Sequence, residues 1–158
     1  MSSTVIGVAR GAEKMAVAKA AGAHFTIDDN DDVTELLRAL GGADVVYDPV
    51  GGSPFKAALH ATNCEGPVII IGFASGEIPQ VLANYLLVKN ITIIEFYWGS
   101  YLKFNPHALK GSVGKLLDWY VKGHLKPHNS HIMPLDKVTD ALELLRSRKS
   151  IGKVVVTQ

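Results

Sequence analysis

The sequence predicts an α/β fold built on a parallel, doubly wound sheet, and three observations carry that reading. Short apolar strands alternate with helical patterns along residues 4–98, the order that right-handed βαβ units produce. Residues 68–71 read Val-Ile-Ile-Ile, apolar at every position, as a strand covered on both faces requires. The third observation is a missing motif. Residues 4–21 suit the second βα unit of a dinucleotide-binding, Rossmann-like sheet, yet no Gly-x-Gly-x-x-Gly precedes Thr4. The sheet is therefore expected to lack its first strand and the glycine-rich turn that approaches a pyrophosphate. On this reading the chain is the C-terminal part of a larger parent protein.

The elements follow in order. Residues 4–10 form an apolar strand that runs into a helix over residues 12–21, stopped at Gly22. Residues 24–27 make a short strand closed by Asp28-Asp29-Asn30. Val33, Leu36, Leu37 and Leu40 fall at i, i+3, i+4 and i+7, one apolar helical face, and Gly41-Gly42 ends it. Residues 45–47 are the next strand, turning through Asp48-Pro49-Val50-Gly51-Gly52. Ser53 is expected as an N-cap with Pro54 at the first helical position, and Phe55, Ala58, Leu59 and Thr62 as the inner face. After strand 68–71 comes the loop Gly72-Phe73-Ala74-Ser75-Gly76, a short helix over 81–88 and a strand over 91–98. Val113, Leu116, Leu117 and Tyr120 mark a further helix ending at Gly123. Leu135, Val138, Ala141, Leu142 and Leu145 mark another, and residues 152–157 a terminal strand. The division expected is a truncated dinucleotide-binding domain at 4–123 and a C-terminal segment at 124–158, the latter packing on a catalytic domain of the parent.

A complete dinucleotide-binding sheet has the order 3-2-1-4-5-6, with the first strand central. Removing that strand leaves a gap with two rows of unpaired backbone groups. The simplest repair is direct pairing of strand 4–9 with strand 45–47. Numbered from this chain's start, that gives the flavodoxin-like order 2-1-3-4-5.

Composition narrows the function. The chain has 158 residues, 47% hydrophobic and 20% charged, with a net charge of +1. It has enough length for a real core and no electrostatic case for nucleic acid or an acidic membrane. No apolar run reaches the roughly 20 residues of a membrane span, and the N-terminus lacks a signal-peptide pattern. The single cysteine, Cys64, forms no disulfide within the chain and is read as a small buried residue. A cytoplasmic location is expected.

Candidate site residues follow from strand ends, where open α/β sheets bind ligands. The first strand ends Ala9-Arg10-Gly11, with a cation where an NAD site places an acid. Arg10 there suits the 2′-phosphate of NADP. Gly72, Phe73 and Ala74 follow the strand 68–71. His124, His128 and His131 do not share a helix face, because Pro127 intervenes, and no metal site is expected. No Gly-x-Ser-x-Gly elbow is present, which argues against a hydrolase. A phospho-receiver role for Asp48 needs an acidic pair after the first strand, and Ala9-Arg10-Gly11 offers none.

Several segments resemble the zinc-free quinone oxidoreductase branch of the medium-chain dehydrogenase/reductase superfamily. These are residues 83–92 (Ala-Asn-Tyr-Leu-Leu-Val-Lys-Asn-Ile-Thr) with Tyr97-Trp98-Gly99, residues 46–52 (Val-Tyr-Asp-Pro-Val-Gly-Gly), residues 72–76, Pro134-Leu135-Asp136, and the closing residues 149–156. The motifs fall in the family's order along nearly the whole chain. The resemblance implies NADPH as hydride donor and a quinone or enone as acceptor in the intact parent. It also implies phosphate contact at Lys14, nicotinamide against Gly72, Phe73 and Ala74, and the ribose beside Asp48 and the turn to Gly51. Arg148 matches an arginine near the cofactor phosphates. One departure is Asp29, near a position where some members carry tyrosine. The family also implies a homodimer in which strand 91–98 meets its two-fold mate antiparallel, consistent with a long apolar edge inviting pairing. The isolated chain is expected to bind NADPH weakly or not at all and to be inactive. The alternative is a non-catalytic dimerisation or packing module.

Overall fold

The computed structural model describes residues 3–147 and 149–158, and the chain divides into two compact units, Met1–Phe104 and Asn105–Gln158. The first unit holds β1 (Ile6–Ala9), α1 (Ala12–Ala20), β2 (Phe25–Asp28), α2 (Val33–Ala39), β3 (Val46–Asp48), α3 (Gly52–Ala61), β4 (Pro67–Ile70), α4 (Ala83–Lys89), β5 (Thr92–Glu95) and a short α5 (Tyr101–Phe104). The second holds α6 (Pro106–Val121), β6 (Asn129–Pro134), α7 (Val138–Arg146) and β7 (Lys153–Thr157). Helix Pro106–Val121 thus belongs with the second unit, whose boundary lies ahead of the one drawn from sequence. Among the described residues no helix is long and apolar enough to cross a membrane.

All ladders in the first unit are parallel, as the βαβ reading requires. The expected closure of the sheet does not form. Among the described residues β1 pairs only with β2, and β3, β4 and β5 make a separate three-stranded sheet in that order. There is no ladder between β1 and β3, so the flavodoxin-like order is not adopted. The cause lies in the helix layer. α2 packs against α3, Thr34 Oγ1 donates to the Ala57 carbonyl at 3.4 Å, and Arg38 Nη2 donates to the His60 carbonyl at 3.2 Å. Ile27, Val33, Leu37 and Ala61 form one buried cluster, with Ile6 and Ala57 packed on it. Sliding β1 across by one strand spacing, about 4.8 Å, breaks this cluster.

The main core is Val46, Phe55, Leu59, Val68, Ile70 and Ile91. Of the predicted inner face of α3, Phe55 and Leu59 are buried and Ala58 half-buried, while Thr62 is buried just past the helix end, in extended backbone. The N-cap differs: Gly51 occupies it, without a side-chain cap, and Ser53 sits inside the first turn. Pro54 is tolerated there because first-turn N–H groups have no intrahelical acceptor. α2 has a true side-chain cap, Asp32, which accepts from the Glu35 N–H at 2.9 Å. Along β3, burial alternates. Val46 and Asp48 are buried, while Val45 and Tyr47 are exposed at 59% and 68%. One face of β3 is therefore open.

In the second unit β6 and β7 pair in parallel. Asn105 caps α6, its Oδ1 accepting from the Ala108 N–H at 3.2 Å, with Pro106 opening the helix. Ala141 on α7 is buried.

Candidate functional site

The C-terminal ends of the parallel strands gather the residues that sequence reasoning selected in the first unit. At the β1 end, Arg10 leaves the strand and Gly11 caps α1. The parallel register sets Ala9 opposite Asp28, and the Asp29 N–H donates to the Ala9 carbonyl at 3.1 Å. That pairing brings the β2 end beside the β1 end. Arg10 Nη2 donates to Asp29 Oδ2 at 2.6 Å. Asp28 Oδ2 accepts from the Gly11 N–H, and its Oδ1 accepts from the Asn30 N–H and side-chain amide. The Asn30 backbone bond, then the Gly11 bond, the Asn30 side chain and the Arg10 charge, hold the Asp28 carboxyl below its ordinary value against an opposing desolvation effect. Lys14 lies in the first turn of α1, half-buried, with no hydrogen-bond or ion-pair partner among the described residues.

At the β3 and β4 ends two loops are zipped together. The Ile71, Ala74 and Ser75 N–H groups donate to the carbonyls of Asp48, Pro49 and Val50 at 2.9, 3.0 and 2.9 Å. Asp48 is buried, and its carboxylate accepts from the Val50 and Gly51 N–H groups, both at 3.0 Å. Its oxygens hold the turn. Gly72 permits the close approach: a Cβ there would lie 3.2 Å from the Pro49 carbonyl oxygen. Phe73 and Ala74 are exposed on the crest of the loop. Arg148 lies outside the described residues.

Sequence reasoning passed over three features. Asp29 and Arg10 form an ion pair that only the β1–β2 register reveals. An aromatic cluster follows β5: Phe96, Trp98, Tyr101 and Phe104 pack ring to ring at centroid distances of 4.5 to 5.7 Å. Its signal was the density of aromatic residues from Phe96 to Phe104. Third, Lys89 Nζ donates to the carbonyls of His60 and Thr62. Arg38 donates to the same His60 carbonyl, so the two cations cover that carbonyl in the last turn of α3 and the Thr62 carbonyl just past it. Burial, and secondarily the Arg38 charge, lowers the Lys89 pKa, opposed by Cys64.

Cys64 is exposed, which corrects the reading of it as a buried residue. It follows α3 in a surface turn rather than entering the core. His131 lies in β6 and contacts the Ser130 hydroxyl at 3.0 Å. Among the described residues no group of three or more His, Cys, Asp or Glu side chains is placed to hold a metal.

Residues 1–117 match the family described as zinc-binding dehydrogenase. The chain belongs to that family. It is 42% identical over 157 residues to the quinone oxidoreductase-like protein 2 homolog of Nematostella vectensis, covering 96% of this chain and 43% of that protein. The crystal structure of a Pseudomonas syringae quinone oxidoreductase superposes with a TM-score of 0.84 at 29% identity, over 98% of this chain and 49% of that one. The Escherichia coli quinone oxidoreductase complexed with NADPH gives 0.81 at 25% identity, over 98% and 49%. The chain thus spans about half the length of these relatives. The quinone oxidoreductase resemblance read from its motifs agrees with their names.

Proposed function

We propose that this chain is the cofactor-holding part of an NADPH-dependent reductase of quinones or enones. The observation that carries the reading is Arg10. It stands at the end of β1, where an NAD site places an acid, and its guanidinium is 66% exposed with one N–H engaged. A dianionic 2′-phosphate fits the remaining donors, and Lys14 is one turn away. The zipped loops at Asp48 and Gly72 offer a backbone-rigid rim, with Phe73 and Ala74 facing outward for the nicotinamide end. Bound nicotinamide supplies the hydride chemistry. The chain's own residues bind the adenosine phosphate, orient the ring and limit water at the strand ends.

The chain alone is expected to bind NADPH weakly and to reduce no quinone. Its sequence contains no Gly-x-Gly spacing to bring backbone N–H groups against a pyrophosphate. Calorimetry tests this: low-micromolar NADPH affinity, or turnover above a buffer blank, sinks it. In a full-length enzyme carrying this segment, Arg10→Ala with Lys14→Ala should mainly raise the NADPH KM. Each charge-assisted contact contributes about 1.5–3 kcal/mol. An unchanged NADPH/NADH ratio refutes the assignment.

A homodimer through strand 91–98 is part of the same proposal. Support comes from the edge position of β5, with Ile94 exposed at 43%. In the second unit, exposed Ile132, Leu135 and Leu142 support cover by another segment of a larger enzyme. A purely non-catalytic dimerisation module also predicts the β5 contact. It differs in giving no response of binding to the charges at Arg10 and Lys14.

A further inference from the structure

The Arg10–Asp29 pair has a geometry that a free phosphate-binding arginine lacks. Asp29 is fixed in place: its N–H is tied to the Ala9 carbonyl at 3.1 Å, and its side chain is only 12% exposed, against 66% for Arg10. The contact is monodentate, a single Nη2 to Oδ2 bond of 2.6 Å, so the other guanidinium N–H groups remain available. Asp28, one residue back, is held ionised by its bonds from Asn30 and Gly11. The junction of β1, β2 and α1 therefore carries two cations, Arg10 and Lys14, beside two carboxylates, Asp28 and Asp29, with Glu13 on the same first turn as Lys14.

We propose that Asp29 is a specificity-determining residue acting through Arg10. Its carboxylate holds one edge of the guanidinium and weakens the hold of that side chain on a ribose 2′-phosphate. This rests on the reading of Arg10 as the 2′-phosphate residue. A phosphate on the free edge of the guanidinium sits about 5–6 Å from the Asp29 carboxylate, within range of strong like-charge repulsion at a partly exposed site. The chain accordingly discriminates NADPH from NADH less sharply than Arg10 and Lys14 would without the acid.

The test uses the intact 158-residue chain and two small probes, adenosine 2′-monophosphate and adenosine, titrated by NMR chemical-shift mapping. The variants are Asp29→Asn, Asp29→Glu, Arg10→Ala and the Arg10→Ala/Asp29→Asn double. Removing the charge in Asp29→Asn should tighten 2′-monophosphate binding by on the order of tenfold and leave adenosine unchanged. Asp29→Glu should restore the wild-type value. The gain should vanish in the double variant, since the effect passes through Arg10. Three results overturn the proposal. One is a wild-type preference for the 2′-monophosphate that Asp29→Asn leaves unaltered or weakens, with the Arg10 reading intact. Another is a loss of adenosine affinity in Asp29→Asn, which makes Asp29 an acceptor for the ribose hydroxyl instead. The last is equal binding of both probes by every variant, which removes the 2′-phosphate reading together with the proposal.

Discussion

Gly51 and Gly11 share a backbone conformation but not an environment, and comparing them isolates what fixes the β3–β4 loop pair. Gly51 has φ 72° and ψ −160°, and Gly11 has φ 82° and ψ 154°. Both lie in a region populated essentially by glycine, where a side chain costs about 1–3 kcal/mol of strain. A Cβ on Gly11 meets nothing within 4 Å. A Cβ on Gly51 falls 2.6 Å from the Glu77 carbonyl oxygen and 3.2 Å from Phe73 Cδ1. The oxygen is backbone, so relief requires the 71–77 loop to shift, adding about 1–3 kcal/mol of overpacking. Gly51→Ala should therefore destabilise by about 2–6 kcal/mol and Gly11→Ala by about 1–3 kcal/mol. With a urea m-value of roughly 2 kcal/mol/M, the midpoints of the two variants should differ by roughly 0.5–1.5 M in far-UV circular dichroism. Gly51→Ala should also perturb the NMR resonances of Phe73. Coincident midpoints would refute the reasoning, because they leave the loop contact without an energetic role.

Asp28 has a folded-state pKa below its ordinary value of 3.8, so its bonds stabilise the fold above that value and are lost as pH falls through the lower folded-state pKa. Asp28→Asn should flatten the melting temperature against pH below about pH 4, and an unchanged profile counts against the Gly11 and Asn30 contacts. Light scattering of the wild-type chain should give a dimer, and Ile93→Pro a monomer or aggregate, because proline deletes a ladder donor; a wild-type monomer at high concentration argues against β5 as the interface. Amide hydrogen exchange should protect β4 most, as it is flanked on both sides. Equal protection along β1 and β3 would mean that the gap between them closes in solution.

Features set by local spacing were legible in the sequence. Of the α2 face read from helical period, Val33 and Leu37 are buried, while Leu36 and Leu40 are exposed. The α3 face of Phe55 and Leu59 follows in the same way. Arg10, Asp48 and Gly72 fall at or just past the C-terminal ends of parallel strands because βαβ connectivity dictates it. What stayed hidden depends on contacts between distant segments. Ser53 has the chemistry of a cap, but the turn closed by Asp48 starts the helix two residues earlier, at Gly52 rather than Pro54. The Arg10–Asp29 pair depends on register: a slip of one residue between β1 and β2 separates them. Taken alone, Asp29 reads as a departure from the family's tyrosine, an acid that adds no phosphate affinity, and nothing in the sequence ties it to Arg10.

The open seam between β1 and β3 shows how helix packing can override strand pairing. Unpaired backbone groups on two strand edges favour closure, but exposed groups bond to water, so the net gain per new hydrogen bond is about 0.5–1.5 kcal/mol. β3 is only three residues long, so a direct β1–β3 ladder gains a few such bonds. Against this stand the buried side chains of Ile27, Val33 and Leu37, between β2, α2 and α3, each contributing about 1.5–3 kcal/mol when fully buried. Closure disrupts that packing while recovering a few kcal/mol, and the layer holds. The consequence reaches the site. With α2 packed on α3, β1 and β3 stay in separate sheets, and Tyr47 on β3 is exposed. On the proposed reading, the phosphate end at Arg10 and the loop at Gly72 therefore belong to two separate sheets. A dinucleotide spans such a pair of sites through its pyrophosphate, and that is the part for which this sequence carries no glycine-rich turn. Weak binding of the whole dinucleotide and measurable binding of its 2′-phosphorylated adenosine end are therefore expected of the same molecule.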